Sequence, residues 1–292
     1  MPSVDGQSAQ PPARPEGRPP AGACDCHVHV FGPYADFPLA EGRSYTPPEA
    51  TAAQLEAMLG ANGLERAVIV QPSAYGQDHA ALCAALVRAP ARFRGVAVVD
   101  ANVAVTELLR LNSLGVRAAR FTETGGSAGG RFAGAVGFDQ VRDLAPRLAA
   151  LGWHAQLWAG GDVLAAALPG LLGCGLPLVL DHLGMLDVGR GLADPWFRHL
   201  LRELAAGRVW IKVSPQRISR QWPDYDDVRP FLAAMVEANP RQLIWASDWP
   251  FLRMGEQTPK VATLLGWLTE VAPDAAVRQA ILRDNAARLY GF

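Results

Sequence analysis

Three short segments hold the residues best suited to chemistry, and in each the residue type matters as much as its place. His27 and His29 stand two apart in CDCHVHVF. On a strand that spacing puts both imidazoles on one face. Such a pair can hold a metal ion or polarise a carbonyl, although two core histidines would look the same. Asp181-His182 closes the apolar run PLVLDH. Strand neighbours point to opposite faces, so only one of them, His182, is expected to enter a shared site. Asp248 lies in WASDWP between Trp245 and Trp249, just before Pro250. A carboxylate there can serve as a general base or cap the next helix.

A second set could hold a substrate. Arg120 ends RAARF, and Arg217 follows VWIKV in the loop KVSPQRIS. Either guanidinium could bind a carboxylate bidentately. Gln71, Ser73 and Tyr75 lie in and just past RAVIVQP, placed to donate hydrogen bonds. Arg131 sits in the glycine-rich stretch ETGGSAGGRFAG, expected to be a lid or a mobile loop. His154 opens the run WHAQLWA and is expected to be structural, with Trp158 at the other end. His79 and His199 fall in helical patterns and are expected on the outer surface. A Ser/His/Asp triad is not suggested.

These residues need a scaffold that brings distant segments together. Eight apolar runs fall at 24–31, 66–72, 93–100, 116–121, 153–159, 177–182, 209–214 and 243–249. Between them lie segments with apolar residues at three- and four-residue spacing. Near-continuous apolar strands alternating with helices imply a parallel sheet covered on both faces. Eight such units predict a single-domain (β/α)8 barrel, whose chemistry sits at the C-terminal strand ends. His27, His29, Arg120, His182, Arg217 and Asp248 all fall there. The rival doubly wound sheet would want a glycine-rich turn after its first strand, and Phe31-Gly32-Pro33-Tyr34 is none. Residues 1–22 are rich in Pro, Gly, Ser and Gln and are expected to be a mobile tail. The barrel should span 23–292, ending in a helix over VRQAILRDNAARLYGF.

Composition narrows the function classes. The 292-residue chain is 50% hydrophobic and 19% charged, with a formal net charge of −1. That balance disfavours nucleic-acid binding and a polybasic membrane anchor. Val163–Leu180 is long enough for a short span, but its prolines and glycines split it into helix, loop and strand. Cys24 and Cys26 share a strand face without bridging geometry, and Cys83 and Cys174 read as small core residues. Four unpaired cysteines and no apolar leader point to the cytoplasm. Oligomeric state is open.

DCHVHVFGP, VLDHLG and LIWASDWP, in that order, resemble motifs of the amidohydrolase superfamily, more closely its branch of lactonases related to 2-pyrone-4,6-dicarboxylate lactonase. FPLAEGRSYTP, RGVAVVD, GWHAQLW and NAARLYGF are softer matches, so the resemblance runs from about Asp25 to Phe292. It implies a distorted (β/α)8 barrel and metal-free hydrolysis of a small-molecule lactone. Asp248 would activate water, His27, His29 and His182 would polarise the carbonyl, and Arg120 and Arg217 would bind substrate carboxylates. Three positions depart from the branch. An arginine becomes Met185, a substrate-contacting tyrosine becomes Trp158, and another arginine falls on Gly126, where Arg131 could substitute through a shifted loop. Fewer polar contacts imply a less charged lactone. Zinc on His27, His29, His182 and Asp248 is the alternative. Against it, the two lysines, Lys212 and Lys260, lie away from strand four, and Trp158 stands where a single-metal centre usually has histidine. A metal-dependent decarboxylase, a lactone isomerase, a sugar-acid lactonase and a non-catalytic binding barrel are the competing functions.

Overall fold

The computed structural model describes residues 18–123 and 130–292. Most of the proposed tail (residues 1–17) and Gly126 lie outside them. Eight parallel strands pair in chain order. They are β1 (Cys24–Val28), β2 (Arg66–Val70), β3 (Phe93–Ala97), β4 (Val116–Thr122), β5 (His154–Trp158), β6 (Leu178–Leu180), β7 (Val209–Val213) and β8 (Leu243–Trp245). The connecting helices are α1 (Ala52–Ala61), α2 (Ala80–Arg88), α3 (Val105–Ser113), α4 (Val141–Ala150), α5 (Gly161–Leu172), α6 (Pro195–Ala205), α7 (Arg229–Ala238) and α8 (Val261–Val271). The result is the expected (β/α)8 barrel. No helix among the described residues is long and apolar enough to cross a membrane. The uncharged window divides as its breakers require, into α5, a loop and β6.

Two apolar layers follow from strand alternation. Outward residues such as Val28, Ile69, Phe121, Leu157 and Ile211 join the helices in the main core. Inward residues Cys26, Val68, Ala118, Val179 and Ile244 fill the lower barrel. The C-terminal segment plugs that end through α9 (Ala275–Gln279), a π turn at 280–284 and α10 (Asn285–Tyr290). The Asn285 amide donates to the carbonyls of Pro240 and Leu243, fastening the plug to the start of β8. Tyr290 meets His154 edge-to-face at 5.0 Å, which puts His154 at the bottom, as its place in the sequence implies.

Ahead of Ala23, Pro19 is buried and the Gly22 amide donates to Glu65 at 2.9 Å. Two local expectations need correction. His79 is not on the surface; it is buried, with Nε2 3.1 Å from the Val98 carbonyl. Cys83 and Cys174 are only half-buried against the core.

Candidate active site

The barrel closes where its chemistry lies. β1 and β8 share only a short bridge, Val28 with Trp249. Beside it the Asp248 amide donates to the His27 carbonyl and the His29 amide to the Trp249 carbonyl, both at 2.9 Å. These bonds hold two histidines and an aspartate together across 219 residues of sequence, from position 29 to 248. Asp25 completes the seam: its Oδ1 accepts from the Ser247 amide at 2.9 Å and the His27 amide at 3.2 Å.

Asp248 adopts a left-handed φ of 62°, unusual for a residue with a Cβ. Its Oδ1 lies 3.5 Å from His27 Nε2 and 3.4 Å from His29 Nε2. Its Oδ2 accepts from Arg217 Nε. The same guanidinium donates to the Leu252 carbonyl at 3.0 Å, so Arg217 ties the aspartate to the loop after it. Burial pushes the Asp248 carboxyl up, but Arg217, then the histidines, outweigh it and hold the group well below the usual carboxylate range. It is ionised at neutral pH.

His29 Nδ1 lies 2.8 Å from the Val70 carbonyl. A carbonyl only accepts, so Nδ1 carries a proton and donates there, while Nε2 faces the Asp248 carboxylate. Burial, then the Lys212 charge, drives His27 far below its ordinary range, so it is neutral. Burial pushes His182 down to about 4, leaving it neutral as well.

Under this layer lies a polar one absent from the sequence reading. Lys212, fully buried on β7, places Nζ 2.7 Å from Gln156 Oε1, 3.2 Å from His27 Nδ1 and 3.4 Å from Asp181 Oδ1. The other Asp181 oxygen accepts from Arg120 at 3.0 Å and Gln156 at 3.1 Å. Burial opposes the Asp181 charge, but Lys212, His27 and Arg120 hold it well below the usual range. The expectation that only His182 enters the site fails here. β6 ends at Leu180, and the chain turns through left-handed residues at His182 (φ 51°) and Leu183 (φ 53°), so alternation no longer applies and both side chains point inward.

Above the carboxylate opens a cavity of about 330 Å³ whose lining includes His29, His182, Asp248, Ser73, Arg120, Trp158 and Arg217. Tyr45, Phe132, Leu252 and Arg253, which the sequence reading did not single out, complete it. Three proposed substrate contacts lie elsewhere. Tyr75 accepts a bond from the Gly32 amide through its hydroxyl and stacks on Phe31, so its polar end is already used. Met185, in a left-handed turn, packs against the helical core. Arg131 is half-exposed and paired with Asp139 and Glu123. Gln71 bonds to the carbonyls of Gly76 and Asp78, holding the loop that carries Ser73. His27 is fully buried below the cavity floor.

An ionised aspartate beside neutral imidazoles, at the C-terminal mouth of a (β/α)8 barrel, is a hydrolytic type of centre. The Amidohydrolase family model matches residues 24–292, and the chain belongs to that family. It is 34% identical over 289 residues to a 2-pyrone-4,6-dicarboxylate hydrolase of Comamonas testosteroni, covering 96% of this chain and 93% of that protein. It is 35% identical over 276 residues to a 4-sulfomuconolactone hydrolase of Rhizobium radiobacter, covering 93% and 91%. A solved Pseudomonas putida protein named for 2-pyrone-4,6-dicarboxylic acid hydrolysis superposes with a TM-score of 0.80 at 31% identity, covering 92% of this chain and 97% of that one.

Proposed function

We propose that this protein hydrolyses the ester bond of a small anionic lactone, with Asp248 as the base. The observation that carries the reading is an ionised carboxylate beside an imidazole at the cavity floor. Asp248 Oδ1 and His29 Nε2 lie 3.4 Å apart. A water there donates a hydrogen to Asp248 and turns a lone pair toward the cavity. Two relatives named for hydrolysis of anionic lactones support the choice of substrate class.

The step is then ordered by charge. Water oxygen attacks the lactone carbonyl carbon as its proton passes to Asp248. His182 and Arg120, both lining the cavity, donate to the developing oxyanion. The ring C–O bond breaks, and Asp248 returns its proton to the departing ring oxygen, giving an open-chain hydroxy acid. His27 acts on Asp248 from below instead of on the substrate carbonyl. Because Arg217 holds Asp248 strongly acidic, the base is weak and should contribute toward the lower part of ~10²–10⁴. Preorganised donors must supply much of the remainder.

The ligating atoms of His27, His29 and Asp248 lie within 4.8 Å of one another, and their types suit zinc. His29 Nε2 faces the space such an ion would take, while Arg217 already occupies the other Asp248 oxygen. When bound there, zinc would lower the pKa of water or polarise the carbonyl. No step above depends on it. Four unpaired cysteines are in keeping with a cytoplasmic enzyme.

The test is ring opening followed by pH change over a panel of pyrone, muconolactone and aldonolactone types, before and after chelation and dialysis. Asp248→Asn should lower kcat by at least ~10² with the fold intact. Near-normal turnover in that variant removes the assigned base. Stoichiometric zinc whose loss abolishes turnover transfers water activation to a metal.

A further inference from the structure

Three arginines line the cavity, and they differ in what already holds their charge. Arg217 faces Asp248, and Arg120 faces Asp181. Arg253 forms no ion pair among the described residues; its guanidinium lies over the Phe132 ring at 5.8 Å. Phe132 in turn stacks on Trp158 at 5.7 Å, and Trp158 carries Arg120 at 4.8 Å. One wall of the cavity is therefore a continuous row of cation, ring, ring and cation.

We propose that Arg253 is the charge-reading residue of this site, binding a single carboxylate or sulfonate borne by the lactone at the cavity mouth. The proposal rests on the lactonase reading above and adds to it the place and number of the anionic groups. Two features favour Arg253 over the others. An anion drawing Arg217 toward itself would strip Asp248 of its partner and loosen the loop held through Leu252. An anion at Arg253 disturbs no existing pair. Arg253 is also positioned: φ is 65° there and 63° at Phe251, and the Phe251 amide donates to the Asp248 carbonyl at 2.9 Å. Base and charge reader thus stand on one tight turn, five residues apart, so an anion at Arg253 fixes the ring relative to Asp248. With Arg131 engaged at Asp139 and Glu123, one unpaired cation at the mouth suits a monoanion better than a dicarboxylate.

The experiment compares muconolactone, which carries one carboxylate, with its primary amide, in wild type, Arg253→Gln and Arg253→Glu. The ratio of kcat/KM for the acid to that for the amide should fall ~10-fold in the glutamine variant and further in the glutamate variant, chiefly through KM. In wild type, raising salt from about 0.05 M to about 0.5 M should weaken binding of the acid and not of the amide, since Arg253 is exposed. An unchanged ratio, or an equal loss for both compounds, overturns the proposal. If wild type opens neither compound, muconolactone is not its substrate, and the hydrolytic reading is decided separately by the lactone panel. The assignment of Arg253 is then decided by calorimetric titration with the unreactive lactam of muconolactone. Binding ~10-fold weaker in Arg253→Gln upholds it, and equal binding overturns it.

Discussion

Lys212 shows how one buried charge can set the state of a neighbour in the candidate site. Its three N–H groups face three acceptors, Gln156, His27 and Asp181. Its approach to His27 Nδ1 at 3.2 Å favours the tautomer with the proton on Nε2, which faces the Asp248 carboxylate, against the pull of Asp181 Oδ1 at 3.3 Å from the same Nδ1. Lys212→Met keeps the length of the side chain and removes the donor. It should lower kcat by ~10–10² and change KM less than about threefold, because the misaligned group is the base and not a substrate contact. A matching rise in KM with kcat unchanged would show that Lys212 shapes the cavity instead. His27, His29, His182 and Asp248 could be placed at one rim from the sequence because each falls at or just past the C-terminal end of a strand. The sequence hid Lys212 because one lysine in VWIKV resembles an edge residue whose ammonium reaches water. The available signal was burial: a charge in a strand covered on both faces must have buried partners. Gln156 in HAQLW and Asp181, one residue before the chosen His182, were its counterparts.

At the scale of elements, the cavity is shaped less by strands than by turns that break their rhythm. All eight strands were legible from apolar runs, but β6 and β8 stop three residues in, before the polar residues that the sequence reading left on them. Left-handed turns at His182 and Asp248 then re-aim the side chains, and no periodicity announces such a turn when the residue is not glycine. The segment after the undescribed stretch 124–129 meets the rest of the rim at a glycine contact. Gly134 has φ 81°, and a Cβ there would lie 2.7 Å from the Gly76 Cα and the Ser73 carbonyl. Phe132 and Ser73, two lining residues, flank this contact. Gly134→Ala must push the segment off the rim, at a cost of ~1–3 kcal/mol. The expected outcome is a several-fold rise in KM as Phe132 leaves the wall, with little change at Asp248, and a lowered melting temperature. Unaltered KM would mean that Phe132 does not hold substrate.

For the molecule as a whole, closure of the barrel depends on a carboxyl group doing the work of backbone. Asp25 Oδ1 takes the amide hydrogens of Ser247 and His27 where β1 and β8 fail to pair, while its Oδ2 is buried with no hydrogen-bond partner among the described residues. Burial pushes this carboxyl up to about 7, and bonds from the Ser247 side chain and the two amides only moderate the rise. The folded state therefore holds the proton more tightly than the unfolded chain, where the value is near 3.8. The sign follows directly. The contribution of Asp25 to stability is complete below about pH 4 and is lost as pH rises toward 7, by up to ~4 kcal/mol. Buried neutral His27, His154 and His182 act in the opposite direction in acid, since each must be discharged to fold. A raw stability profile would mix the two. The difference between wild type and Asp25→Asn separates them: asparagine keeps the Oδ1 acceptor, cannot ionise, and adds an offset that does not vary with pH. Denaturant midpoints measured from pH 4.5 to pH 8 should show wild type losing ground to the variant through the middle of that range and running parallel above it. Profiles parallel throughout would mean that Asp25 is ionised in the folded barrel, and that the seam is held by a charge and not by a neutral acid.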